Sequence, residues 1–335
     1  MIIDRQKILY EHLDRIVNKF RLDKQFWFEL KDSKIFPSEY IDYIQNENGT
    51  EENKKKNLLI DLIRRPPSSY NSFSRILQKL YENDVLEQLI YFNEKGAYPI
   101  INEQPGICLI INNEIFNNHL TRSGSKIDVD KFKKQFEKLN YNVITRSDLS
   151  RNQFLDLLKE QTKKKELVNQ DIFVAIIMSH GVSENVITSD GEKVGYDEIF
   201  ELFSNENCPG LFGKPKIFIF NCCRSPQIHS MNNNEQTIDS CKTNREFKTF
   251  SDVFKVFSTL NSLYSVRDEE NGTFFATAFT EAMKENSHSD VSEISIKANT
   301  KLETLVNDPK NKVETRQTIE FGSLGSKKKC YFSKL

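Results

Sequence analysis

The chain has 335 residues, 38% of them hydrophobic and 28% charged, too many for one small core and enough for a small domain followed by one of ordinary enzyme size. Its 47 basic and 48 acidic side chains nearly cancel, which leaves no cationic excess to neutralise phosphates and excludes nucleic acid as the main partner. The opening Met1-Ile2-Ile3-Asp4-Arg5 meets charge too often to build the apolar run of a signal peptide or membrane span, so a cytosolic protein without membrane attachment is expected.

Residues 1–93 carry helical periodicity and no convincing strand. Ile8, Leu9, Leu13, Ile16, Val17 and Phe20 make one apolar stripe on a first helix. Pro37 suits the first turn of a helix over Ser38 to Gln45, and Thr50 can cap the next, with Asn53 and Lys54 inside it. Pro66 and Pro67 are expected to end that helix after Arg65. Further helices over Ser69 to Tyr81 and Asp84 to Phe92 bring the count to about six. The run Leu58-Leu59-Ile60-Asp61-Leu62-Ile63-Arg64-Arg65 followed by Ser69-Tyr70-Asn71-Ser72-Phe73 resembles the caspase recruitment domain (CARD). That resemblance implies a death-fold bundle that docks onto a platform or adaptor protein carrying the same kind of domain, through complementary charged patches. The Lys54-Lys55-Lys56 run reads as a solvated helix face.

Residues 94–105, with Gly96, Pro99 and Pro105, have the punctuation of a linker. Beyond them the pattern becomes α/β. Gly106 to Asn112, Ile172 to Met178 and Pro215 to Phe220 are apolar runs of buried-strand length, and Val143 to Thr145 is extended. Helical stretches fall at Val129 to Leu139, Leu149 to Lys165 and around Tyr196 to Phe203. The expected fold class is therefore α + α/β, a helical bundle followed by a mostly parallel central sheet with helices on both faces.

In open parallel sheets, ligands bind outside the carboxyl ends of the strands. One buried run delivers Ser179-His180-Gly181 to such an end, and another delivers Asn221-Cys222-Cys223-Arg224. A free thiol of pKa about 8.5 is only a few per cent thiolate at neutral pH and needs a base within hydrogen-bond reach to attack an amide. His180 can serve Cys223 in this way. Gly181 and the backbone N–H of Cys223 can form an oxyanion hole, in which each donor stabilises a tetrahedral intermediate by roughly 3 kcal/mol. The other cysteines, at 108, 208, 222, 241 and 330, read as core or free thiols of a reducing compartment, with Cys222 turned away from Cys223 by strand alternation. With no C-x-x-C pair and no zinc spacing among the five histidines, neither a metal nor a cofactor is expected.

From Gly106 to the carboxy-terminus the chain resembles a caspase protease domain. Arg122-Ser123-Gly124, Asp128-Val129-Asp130, Ser179-His180-Gly181 and Gly213-Lys214-Pro215-Lys216 occur in family order, with the histidine 43 residues before the cysteine, near the family spacing of about 50. The resemblance implies Cys223 as nucleophile and His180 as base. It implies a pocket of Arg122, Asn221 and Arg267 for an acidic residue at the cleaved position, where paired guanidinium groups hold a carboxylate. Ser265 would present backbone to the extended peptide, and Phe274 with Phe275 would wall the next pockets.

The resemblance further implies an initiator-type zymogen that is a homodimer when active and is cut in an inter-subunit loop. Asp239 is the only aspartate of that loop, and cleavage there would divide the catalytic part into regions 106–239 and 240–335. The linker lacks aspartate, so the recruitment domain is expected to stay attached unless cleavage follows Glu94 or Glu103. Two positions depart from the family pattern. Asn221 stands where glutamine is usual, which implies a roomier pocket that tolerates Glu below Asp, and Ser225 stands where glycine is usual. Both leave open a catalytically weakened homologue that acts by binding.

Overall fold

The structure, a computed structural model, describes residues 17, 18, 20–65, 67–81, 96–98, 100, 102–224, 251–261, 265, 267–311 and 316–333. Its amino-terminal part contains the helices α1 (Lys24–Asp32), α2 (Ser38–Asn46), α3 (Glu51–Ile63) and α4 (Pro67–Tyr81). Asp23 caps α1 by accepting from the Phe26 amide at 2.8 Å, and Thr50 caps α3 by accepting from the Asn53 amide at 3.2 Å. Their apolar faces meet in one core that includes Phe26, Leu30, Tyr40, Ile44, Leu58, Leu62 and Phe73.

Most of the expected first helix and all of the expected last one lie outside the described residues. The described helices define a helical unit, and the expected count of about six is not addressed by the described residues. One boundary differs from expectation: α3 ends at Ile63, and Pro67 opens α4 instead of closing its predecessor. A proline at the first helical position gives up no intrahelical hydrogen bond and already holds the required φ.

The α/β part builds a six-stranded sheet in the order β11-β8-β7-β3-β1-β2. Its strands are β1 (Gly106–Asn112), β2 (Asn142–Ser147), β3 (Ile172–Met178), β7 (Lys216–Asn221), β8 (Val253–Phe257) and β11 (Glu320–Leu324). All neighbours pair in parallel except β11, which runs antiparallel to β8 at the edge.

The apolar runs are continuous because both faces are covered. On one face Cys108, Ile110, Val174, Ile176, Ile217 and Ile219 pack with residues of α5 (Ser125–Lys138), α8 (Phe274–Glu285) and α9 (Val291–Asn307), among them Phe132, Phe279 and Leu302. On the other, Leu109, Ile111, Ala175, Ile177, Phe218 and Phe220 pack with Phe154 and Leu158 of α6 (Arg151–Thr162) and Ile199 and Phe200 of α7 (Tyr196–Leu202).

A small antiparallel sheet of β4 (Gly181–Val182), β5 (Asn185–Ile187) and β6 (Lys193–Gly195) follows β3 directly. A two-residue pair, β9 (Arg267–Asp268) and β10 (Gly272–Thr273), precedes α8. The described linker residues are pinned: Ala97 bridges Lys329, and the hydroxyl of buried Tyr98 donates to Asp252 at 2.5 Å. No helix among the described residues is long and apolar enough to cross a membrane.

Candidate active site

Strands β3 and β7 are parallel neighbours in a register that sets Met178 beside Asn221. One residue further on, the Ser179 amide still donates to the Asn221 carbonyl at 3.4 Å. The residues that continue these strands, His180 and Cys223, therefore leave the same carboxyl edge of the sheet side by side.

Ser179 is held by Asn113, whose Nδ2 donates to its hydroxyl at 3.2 Å, and by the Ile187 carbonyl, which accepts from that hydroxyl. The next residue, Gly181, lies so close to the cysteine segment that an added Cβ would stand 2.4 Å from the Cys223 carbonyl oxygen and 3.0 Å from Cys222 Cβ. Only glycine allows that approach.

The His180 ring packs against Phe116 at 4.7 Å and lies 5.7 Å from the exposed His119 ring. Its Nε2 donates to the Leu120 carbonyl at 2.6 Å. A carbonyl can only accept, so Nε2 carries the proton in the neutral ring and Nδ1 keeps the lone pair that a base needs. The Cys223 sulfur is partly exposed and accepts from the Ser265 amide at 3.4 Å.

The adjacent Cys222 is buried with its sulfur 3.6 Å from the Ile177 carbonyl, and burial pushes its thiol up to about 12. Burial likewise raises Cys208 to about 12 and lifts Cys108 and Cys330 well above the ordinary range. Cys241 falls outside the described residues. Of the described thiols, Cys223 alone meets solvent.

Beside the thiol lies a buried polar assembly. Arg122 Nη1 donates to Asn112 Oδ1 at 3.0 Å and to the Asn113 carbonyl at 2.8 Å. Asn221 is 2% exposed. Its amide donates to Asp128 Oδ2 at 3.2 Å and to the Thr273 hydroxyl at 2.9 Å, and its Oδ1 accepts from the Ser265 hydroxyl at 3.3 Å. Burial raises the Asp128 carboxyl above its usual range, against the bonds it receives from Thr273 and the nearby charge of Arg122. Gly272, with φ +80, closes over this carboxylate where a Cβ would meet Asp128 Oδ1 at 2.3 Å.

Arg267 pairs through its backbone with Thr273, and only its backbone is described. Asp239 and Ser225 lie outside the described residues. Phe274 and Phe275, expected beside the substrate pockets, lie at the start of α8. Both point into the core of the sheet's α8 face, Phe275 fully buried 5.5 Å from the Phe279 ring and Phe274 8% exposed, because the first turn of α8 lies over the sheet and turns both rings inward.

Three contributors escaped the sequence reading. The Leu120 carbonyl orients the imidazole through backbone alone, and no residue type signals that. Asp128 belongs to a noticed motif, but its partner Thr273 is 145 residues away. Arg224 directly follows the thiol, and its guanidinium, 4.2 Å above the Phe257 ring, joins Glu320 at 2.5 Å and Glu184 at 2.6 Å.

A doubly covered, mostly parallel sheet that presents a partly exposed thiol and an oriented imidazole on adjacent strand ends has the architecture of an α/β cysteine hydrolase. The caspase domain model matches residues 105–330, more than half of the chain, and the chain belongs to the caspase family of cysteine proteases. It is 28% identical to Caspase-3 of Mesocricetus auratus over 196 residues, 58% of this chain and 70% of that protein. Caspase-3 of Mus musculus is 27% identical over 223 residues, 66% and 78% of the two chains, and Caspase-8 of Mus musculus 25% over 239 residues, 66% and 50%.

Proposed function

We propose that the chain is an initiator-type, aspartate-directed cysteine endopeptidase of the cytosol, with a recruitment domain over residues 1–93, a linker over 94–105 and a protease domain over 106–335. The observation that carries this reading is the emergence of His180 and Cys223 from adjacent parallel strands, with Gly181 packed against the cysteine's own backbone. His180 takes the thiol proton, the Cys223 sulfur attacks the scissile carbonyl, and the N–H groups of Gly181 and Cys223 receive the developing oxyanion. His180 then protonates the leaving amine, and water hydrolyses the thioester. Arg122, Asn221, Ser265 and Arg267 form the pocket for an acidic side chain. Clustering on a platform protein raises the effective concentration of protease domains, promotes their homodimerisation and leads to cleavage after Asp239, in cell death or related signalling.

The test is a positional peptide-library digest with the full chain and with Cys223→Ala. Cleavage after Asp, with Glu a weaker second and nothing from the variant, supports the reading. Equal activity of the two proteins defeats it. Mass spectrometry of the active protein reads the processing step: fragments ending at Asp239, absent from Asp239→Ala, are expected.

One observation favours a second reading, that of a weakened homologue acting by binding: both hydrogens of the Asn221 amide are already taken by Asp128 and Thr273, which leaves none for a substrate carboxylate. Asn221→Gln decides the matter. One added methylene is worth about 1 kcal/mol of selectivity, so the variant is expected to reject Glu several-fold more strongly while cleaving after Asp. If the starting protein is no faster than Cys223→Ala and Asn221→Gln restores cleavage, the binding reading holds.

A further inference from the structure

The helical unit and the α/β part share a core. Phe212, which follows the 3-10 turn Pro209–Leu211 on the way into β7, is buried in the helices' cluster together with Val168, which precedes β3. Its ring lies 4.9 Å from Tyr40 and 6.0 Å from Phe36, with the Arg65 guanidinium 3.5 Å above it. Tyr43 of α2 donates to the Lys165 carbonyl at 3.2 Å, and Gly210 lies so near that a Cβ there would be 3.2 Å from the Tyr43 hydroxyl.

Around this anchor the charges are matched across the boundary. Arg64, 3% exposed, stands between Asp61, which also accepts from the Tyr40 hydroxyl, and Asp171 at 3.2 Å. Lys214, 1% exposed, donates to the carbonyls of Leu167 at 3.0 Å and Val168 at 2.5 Å. Arg64 drawn away from Asp171 keeps Asp61 but leaves the buried Asp171 carboxylate without its guanidinium, so the arrangement resists partial opening. The contact covers the amino ends of β3 and β7, and the thiol and imidazole leave their carboxyl ends, about 20 Å away along the strands.

We propose that the helical unit is docked on the protease domain as one cooperative body, so that the face carrying Tyr40 of α2, Asp61 of α3 and, just beyond α3, Arg64 and Arg65 is self-occupied and opens to other copies of the chain only when Arg64 releases Asp171. Recruitment is then gated by an intramolecular contact whose charged groups are already spent. The gating rests on the reading of residues 1–93 as a recruitment domain, whereas the docking does not, and one experiment separates them.

Full-length Cys223→Ala protein is compared with the same protein carrying Asp171→Asn or Phe212→Ser, by hydrogen exchange with mass spectrometry and by sedimentation over a range of concentrations. Asp171 also accepts from the Asn102 amide at 2.7 Å, and the Phe212 variant controls for any effect through that residue. Exchange in α2, α3 and Lys165–Asn169 is expected to rise together by about tenfold or more in both variants, with β3 and β7 unchanged as the control for folding. Both variants are expected to gain concentration-dependent self-association. Unchanged exchange in α2 and α3 in both variants overturns the docking. Faster exchange without self-association overturns the gating and leaves the docking standing.

Discussion

Cys222 and Cys223 are adjacent, yet one is fixed as a thiol and the other is available for chemistry. Alternation at the end of β7 turns Cys222 into the core, where burial raises it to about 12, and leaves Cys223 at the surface beside the Ser265 amide. Brief alkylation of the native protein near neutral pH, mapped by mass spectrometry, should therefore modify Cys223 and spare Cys108, Cys208, Cys222 and Cys330 until the protein is unfolded. Rapid native labelling of Cys222 would contradict the burial argument. Gly181 tests the same site from the other strand. In Gly181→Ala the new Cβ would need to sit 2.4 Å from the Cys223 carbonyl oxygen, so one of the two segments must move. A displacement of about 1 Å costs catalysis about 100-fold. The expected result is a fall of that order in kcat/KM with little change in Tm, and an unaffected rate would show that the close approach is not needed.

At the scale of elements, Arg224 ties the segment after the thiol to three separate pieces: Glu184 at the β4–β5 turn, Phe257 at the end of β8 and Glu320 at the start of β11. Arg224→Met keeps the length of the side chain and removes the charge. Both carboxylates are partly exposed and regain water, so the expected cost is about 2 kcal/mol rather than that of a fully buried pair. Chemical denaturation measures the cost, and activity should fall further than stability because the cysteine segment loses its tether. These long-range ties explain what sequence could and could not yield. The strands of the core announced themselves as Gly106 to Asn112 and Ile172 to Met178, since residues buried on both faces leave continuous apolar runs, and the thiol and imidazole followed from the ends of such runs. Helix α1 left a weaker trace, because Lys24–Asp32 buries only Phe26, Trp27 and Leu30 and leaves the large apolar Phe28 exposed, which blurs the stripe. Glu320, Thr273 and the Leu120 carbonyl left none: each acts through a tertiary contact that no local pattern encodes.

For the whole molecule, the contact between the helical unit and the sheet contains a lysine with an unusual proton affinity. Burial lowers Lys214 to about 8, reinforced by Arg64 and opposed by Asp61 and Asp171, whereas an unfolded lysine titrates near 10.4. Below pH 8 both states are protonated and the burial penalty is complete. Between about pH 8 and 10 the unfolded chain holds the extra proton, so this group makes stability rise with pH by up to about 1.4 kcal/mol per unit. Buried Lys216 and half-buried Lys328 are shifted in the same direction, whereas the buried thiols of Cys108, Cys208, Cys222 and Cys330, raised by burial, pull the other way as unfolded cysteines ionise from about pH 8.5 and tyrosines near pH 10. Lys214→Met leaves the Leu167 and Val168 carbonyls without their ammonium donor, so the absolute stability of the variant is no test, and the slope is the quantity to measure. Urea denaturation at closely spaced pH values from 8 to 10 should give the starting protein a slope of stability against pH that is more positive than that of Lys214→Met by up to about 1.4 kcal/mol per unit. Parallel lines for the two proteins would mean that the lysine stays charged in the folded state, and the helical unit would then have to bury a full cation against the sheet.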